Sequence, residues 1–297
     1  MQLTGLHHVT CVCSNAQQTL DFYRQIGFSL VKKTVNFDDP HSYHLYFGDG
    51  VGSPGTLITF FEWPRAGRGR LGRGTLESVG LATPHVTEPI ELTDPDGLRL
   101  RLEPGDTARL HDVVVIGNPD LYAGMFADDA LLSFAEPMEE AALIGAGITH
   151  HIAWRVGSDD EQRLWLERLV EVGLRPTTVQ DRKYFRSIYF RMPDGVLVEI
   201  ATDEPGFLVD EPAESLGEGL ALPPWLEPDR ATLERAAGIA AYHSKARTGG
   251  VVPVSMTEGR HVSKPRGAKP GTVEIRKETV LKVRPLTDDQ VAAMRRA

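Results

Sequence analysis

Cysteine is almost missing from this chain: 297 residues contain only Cys11 and Cys13. They fall two residues apart on one predicted strand and face the same way, and neighbours of that kind seldom bridge. A disulfide scaffold is therefore excluded, and a reduced, cytoplasmic protein is the expectation. Long apolar runs are missing too. The opening MQLTGLHHVTCV has neither the basic region nor the apolar stretch of a signal peptide, and no segment reads as membrane-spanning. Positive charge is not in excess: 32 Lys and Arg stand against 41 Asp and Glu, a formal net charge of -9. Bulk nucleic-acid binding is not expected of such a chain.

What is present is ordinary globular composition, 41% apolar and 25% charged, in a chain long enough for two packed domains. The charge is uneven. Residues 245–297 carry twelve Lys and Arg against five Asp and Glu, so this basic end differs from the acidic body. MTEGRHVSKPRGAKPG within it reads as loop or disorder, and TVEIRKETVLKVRP as one or two edge strands.

The body carries an internal repeat. LHHVTCVCS alternates like a strand, and NAQQTLDFYRQIGF places Leu20, Phe22, Tyr23 and Ile26 at helical spacing, with Ser14 or Asn15 to cap it and Gly27 to close it. Strands follow at Ser29–Asn36, Tyr43–Phe47 and Thr56–Phe61. The same β-α-β-β-β order returns after Gly147. HHIAWRV is its strand and DDEQRLWLERLVEVGL its helix, with Leu164, Trp165, Leu169 and Val172 on the buried side. Strands then fall at Arg175–Gln180, Ser187–Phe190 and Val196–Ala201. LHHVT matches THHIA, SYHLYFGDG matches SIYFRMPDG, and PGTLITFF matches DGVLVEIA. The middle reads as two trimmed modules, because DPDGLRLRL repeats the phrase MPDGVLVEI and no helix of useful length lies between the strands. The predicted class is α+β, with repeated βαβββ modules forming curved mixed sheets around a metal site. We divide the chain into a first module (1–66), reduced central modules (67–142), a last module with its closing segment (143–228), and a C-terminal helix with a basic tail (229–297).

The repeat points to a metal. His7–His8 and His150–His151 are adjacent pairs on equivalent strands, so alternation sends the members of each pair to opposite faces. Alternation alone leaves open which member faces inward. Val9 and Ile152 would continue one face with His7 and His150, and Thr10 and Ala153 the other with His8 and His151. Glu199 lies inside the apolar strand VLVEIA, where a carboxylate needs a metal, a cation or hydrogen bonds. Two imidazoles and one carboxylate make a facial triad with open positions, which suits Fe(II) oxygenase chemistry. The first copy has Thr59 where the last has Glu199, so one half of the site gives no carboxylate.

LHHVT, PGTLITFFEWP, THHIAWRV, DRKYFRSIYFRMPDGVLVEIATDEPGF and LPPWLEP together resemble the vicinal oxygen chelate (glyoxalase/extradiol dioxygenase) superfamily. Within it they are similar to the hydroquinone-type ring-cleaving dioxygenases, from about Leu3 to Pro228. The resemblance implies His8, His151 and Glu199 as metal ligands, Fe(II) or alternatively Mn(II) as the metal, and an aromatic diol cleaved with O2. It places substrate-pocket groups at His7, Thr10, His150, Arg182 and Tyr189. In those roles Arg182 would hold phenolate or substituent charge, Tyr189 would donate to a reacting oxygen, and His7 or His150 would serve as the acid–base group. That family normally has four full modules, and here the central two are trimmed. A homo-oligomer could cover the exposed sheet. The competing readings are a glyoxalase-like lyase or isomerase using Ni(II) or Zn(II), and a metal-free binder of small aromatic compounds. The lyase would want a second glutamate where Thr59 stands, and the retained HH pairs argue against the binder.

Overall fold

A computed structural model describes residue 3 and residues 5–125 and 131–236; the basic end read above as loop and edge strands lies outside them. The first module runs β1 (Leu6–Cys13), α1 (Ala16–Gln25), β2 (Ser29–Asn36), β3 (Asp39–Gly48) and β4 (Leu57–Glu62). Asn15 caps α1 by accepting the Gln18 N–H, and Gly27 follows with φ +98°, a conformation that suits glycine at a helix end. The middle supplies β5 (Leu76–Thr83), β6 (Ile90–Thr93), β7 (Arg99–Pro104), β8 (Arg109–Ile116) and β9 (Leu132–Ala135). The last module gives β10 (Thr149–Val156), α2 (Asp159–Glu171), β11 (Gln180–Asp181), β12 (Arg186–Arg191) and β13 (Leu197–Thr202), and a short α3 (Arg230–Ala236) follows.

The strands form two sheets. Eight strands run in the order β11-β12-β13-β10-β1-β4-β3-β2, and five in the order β6-β7-β5-β8-β9. In the large sheet, β1 pairs antiparallel with β10 at the centre, while β4 and β13 flank them in parallel. The small sheet repeats this plan, with β5 and β8 antiparallel at its centre and β7 and β9 parallel outside them. It is two modules without their helices, as the trimmed sequence predicts. One apolar cluster runs continuously from α1 and α2 to both sheets, so the halves share a core.

Two expectations need correction. Leu164 is 52% exposed; Gln162 takes the buried place on α2, donating through its amide to the Arg186 and Ile200 carbonyls at the edge of the sheet. The strand expected at Arg175–Gln180 shrinks to Gln180–Asp181, because residues 175–179 lack a ladder partner apart from contacts between Thr177 and Tyr189. Among the described residues no helix is long and apolar enough to cross a membrane.

Candidate metal centre

The centre lies where the two module-opening strands meet. His8 on β1, His151 on β10 and Glu199 on β13 offer ligand atoms that all lie within 4.8 Å of one another. His8 Nε2 is 3.3 Å and His151 Nε2 3.0 Å from Glu199 Oε2, and the two nitrogens are 3.3 Å apart. All three side chains are buried. Despite these distances Oε2 has no hydrogen bond. A fully buried carboxylate oxygen left without a hydrogen bond beside two imidazoles fits a cation at that point. Glu199 Oε1 is held by the Ser187 hydroxyl, which leaves Oε2 as the oxygen that could ligate a metal. Burial opposes ionisation of Glu199, but His8 and His151 more than offset it and hold the carboxyl well below its usual range. Burial lowers the His151 pKa, with Glu199 opposing, so the imidazole keeps a free lone pair near neutral pH.

The paired histidines do not point to opposite faces as alternation predicts. The register between β1 and β10 slips between Leu6 and His8, and again where Thr10 faces His151 and Cys11 faces Thr149. Each slip inserts one unmatched residue, His7 on β1 and His150 on β10. Bulges of this sort re-aim side chains. His7 Nδ1 comes to 2.9 Å from His8 Nδ1, and His150 Nδ1 to 2.8 Å from His151 Nδ1. Burial pushes both His7 and His150 down to about 3, so both are neutral and each can accept the N–H of its neighbour. Such an acceptor fixes the tautomer with Nε2 bare and turned inward, the usual arrangement behind a ligating imidazole.

A cavity of about 250 Å³ opens over the triad, lined by His8, His151 and Glu199 below and by Phe37, Tyr46, Phe61 and Phe185 at its sides. Of the other site residues read from the sequence, His150, Arg182 and Tyr189 line it. His7 is buried behind His8 against Phe185, and Thr10 bonds Thr59 at 2.8 Å; neither reaches the cavity. Arg182 donates through Nε to the Tyr189 hydroxyl at 3.0 Å and pairs with Asp38 at 2.9 Å. Burial and the nearby Glu199 charge raise the Tyr189 pKa, so its hydroxyl stays protonated and can donate.

The two halves are related by the repeat. Thr10 faces Thr59 as Ala153 faces Glu199, so Thr59 occupies the place of the carboxylate. Tyr46 faces Thr59 as Tyr189 faces Glu199, and His44 takes the place of Ser187. The sequence match had instead set His44 against Tyr189. The turn joining β3 to β4 is longer than the one joining β12 to β13, and that slides the register by two residues. His44 is thus a site residue the sequence reading missed. Its only signal was a histidine in an apolar strand, two residues from a tyrosine on the same face.

Curved sheets of repeated βαβββ modules with a His–His–Glu cluster at the junction of two modules define a vicinal oxygen chelate protein. No family model matches the chain. Among curated relatives, MhqO of Bacillus subtilis, named for ring-cleaving dioxygenase activity, is 34% identical over 300 positions, covering 78% of this chain and 95% of MhqO. The chlorohydroquinone/hydroquinone 1,2-dioxygenase of Sphingobium indicum is 30% identical, covering 76% and 93%. A crystal structure described as a Bacillus subtilis dioxygenase superposes with TM-score 0.73 at 31% identity, covering 79% of this chain and 96% of that one. Glyoxalase I of Zea mays shares the fold alone, with TM-score 0.51 at 12% identity over 67% of this chain and 92% of that one. The chain belongs to the ring-cleaving dioxygenase family of the vicinal oxygen chelate superfamily. A separate similarity is short: 62 residues, 21% of this chain, are 50% identical to the Rqc2 homolog RqcH of Bacillus subtilis, of which they span 11%.

Proposed function

We propose that this chain is a non-haem Fe(II) dioxygenase that opens the ring of a hydroquinone- or catechol-type aromatic diol with O2. The observation that carries the reading is the convergence of His8, His151 and Glu199 beneath a cavity with aromatic walls. His8, His151 and Glu199 would hold the metal, and the cavity beside them would admit the diol and O2. The cavity suits a single ring: an apolar cavity of roughly 150 Å³ in another protein holds benzene. The metal, when bound, supplies phenolate stabilisation and electron transfer to O2.

The chain's own groups supply the rest. Phe37, Tyr46, Phe61 and Phe185 clamp the ring and keep water from it. The Tyr189 hydroxyl, oriented by Arg182, donates a hydrogen bond to oxygen at the metal side of the cavity. His150, neutral and with Nδ1 engaged by His151, keeps its proton on Nε2 and donates a hydrogen bond from there to a substrate oxygen in the cavity. His7 has no path to the substrate and acts through His8. Thr59 bears on the lyase alternative: its hydroxyl is engaged by Thr10 and His44, at 2.8 and 2.9 Å, so the carboxylate that chemistry would want has no substitute here. Anaerobic loading with Fe(II), followed by O2 uptake on hydroquinones and catechols, tests the proposal. Ring-opened product with one O2 consumed per substrate is expected; no uptake by protein with full metal content would sink it.

A further inference from the structure

His44 is a buried polar side chain that the ligand set does not use. It stands on β3, lines the cavity, and packs its ring against Tyr46 and Phe61 at centroid separations of 4.0 and 4.4 Å. Its Nε2 is bound to the Thr59 hydroxyl at 2.9 Å, and Thr59 is bound to Thr10 at 2.8 Å. This relay occupies the half of the site that gives no carboxylate. It mirrors the other half, where Ser187 steadies Glu199. The difference is the number of polar atoms: the serine hydroxyl is spent on the carboxylate, whereas the imidazole has a second nitrogen, Nδ1, besides the tethered Nε2. Among the described residues no protein group engages Nδ1. A ring nitrogen of a cavity-lining side chain, with no protein partner, suits a hydrogen-bonding group held within the cavity.

We propose that His44 binds the second hydroxyl of the aromatic diol through Nδ1, the metal side of the cavity holding the first. This rests on the diol reading above and deepens it, because it explains how a site with one charged ligand half selects diols over simple phenols. The direction of the relay is immaterial. If Nε2 donates to Thr59, Nδ1 accepts; if Thr59 donates to Nε2, Nδ1 donates; a hydroxyl satisfies either. Tethering by Thr59 and packing by Tyr46 and Phe61 fix the ring before substrate arrives, so little ordering cost remains at binding.

The test is anaerobic calorimetry on the metal-loaded full chain with hydroquinone, catechol and phenol. A neutral hydrogen bond is worth roughly a three- to ten-fold preference, so wild type should bind the better diol tighter than phenol by about that factor. His44→Leu should bring the ratio to near one while metal content stays full. Should that variant fold poorly, the amide pair decides. His44→Asn leaves a polar group at the Nδ1 position and should keep most of the preference; His44→Gln leaves one at the Nε2 position, keeps the Thr59 bond, and should lose it. Equal binding of diol and phenol by wild type overturns the inference. So does a ratio unchanged in His44→Leu, or diol and phenol weakened alike. If the ratio depends on His44 but no O2 is consumed, the dioxygenase reading fails and this one stands. If rings are opened but the ratio ignores His44, only this one fails.

Discussion

Glu199→Gln separates a metal site from a buried polar cluster. Glutamine keeps the volume, and its carbonyl can still accept the Ser187 hydroxyl, so the fold should survive. The change falls on Oε2, the oxygen without a hydrogen bond, which becomes an NH2 with no lone pair for a cation. Metal at a hundred times its Kd stabilises the folded state by about 2.7 kcal/mol. For a body of roughly 150–250 residues each kcal/mol moves Tm by about 2–4 °C, so wild type should gain roughly 5–11 °C on adding Fe(II) anaerobically, or Mn(II). Loss of an outer hydrogen-bond partner of a ligand weakens metal binding about 10–100-fold, and loss of a ligand should cost at least the upper figure. At the same metal concentration the variant then sits near its own Kd, where the gain is about 0.4 kcal/mol, or roughly 1–2 °C. Scanning fluorimetry with and without metal, after chelator treatment, reads both numbers. An equal metal-induced shift in the two proteins would refute Glu199 as a ligand. No shift in wild type with any divalent ion would refute the centre.

Ser187→Ala removes the clamp on Glu199 Oε1 and should weaken metal binding about 10–100-fold with little loss of fold, measured by competition with a chromogenic chelator. His7 and His150 titrate near 3 in the folded state against an ordinary 6.5, so below pH 6.5 the unfolded chain binds protons that the folded chain refuses. Their contribution is fully present above pH 6.5 and is lost as pH falls toward 3; the two together should cost the metal-free protein about 2–3 kcal/mol between pH 7.5 and 5.5. Urea midpoints at both pH values check this, and replacing His150 by Gln should flatten the dependence. Lys32 is fully buried with its ammonium on Asp210 and Glu211, tying the segment after β13 to β2. Lys32→Met removes the cation from Glu211, while Asp210 keeps Lys183 and the Tyr184 hydroxyl, and a loss of about 1–3 kcal/mol in urea unfolding is expected.

The convergence of His8, His151 and Glu199 was legible because each belongs to a strong local phrase that occurs twice, and because Glu199 sits in a strand where a bare carboxylate is costly. The bulges were not. One unmatched residue in a ladder leaves no mark in a sequence whose apolar alternation continues on both sides, so alternation sent the members of each histidine pair to opposite faces. His44 was hidden by a difference in turn length, which displaces equivalent positions without altering either strand's composition. Leu164 shows a third limit. Helical spacing gave it a buried place, but the edge of the sheet there presents two carbonyls, which glutamine satisfies and leucine cannot.

The unequal halves bear on how such a protein changes over time. Glu199, Ser187 and His151 stand on one copy of the repeat, so most of the constraint from holding a cation falls there. His44 and Tyr46 lie on the other copy and line the same cavity without that burden, with Thr59 behind His44. The duplicated scaffold thus leaves one side tied to the carboxylate and the other free of it. Substitution at 44 or 46 can reshape the cavity wall while leaving the His8–His151–Glu199 cluster untouched.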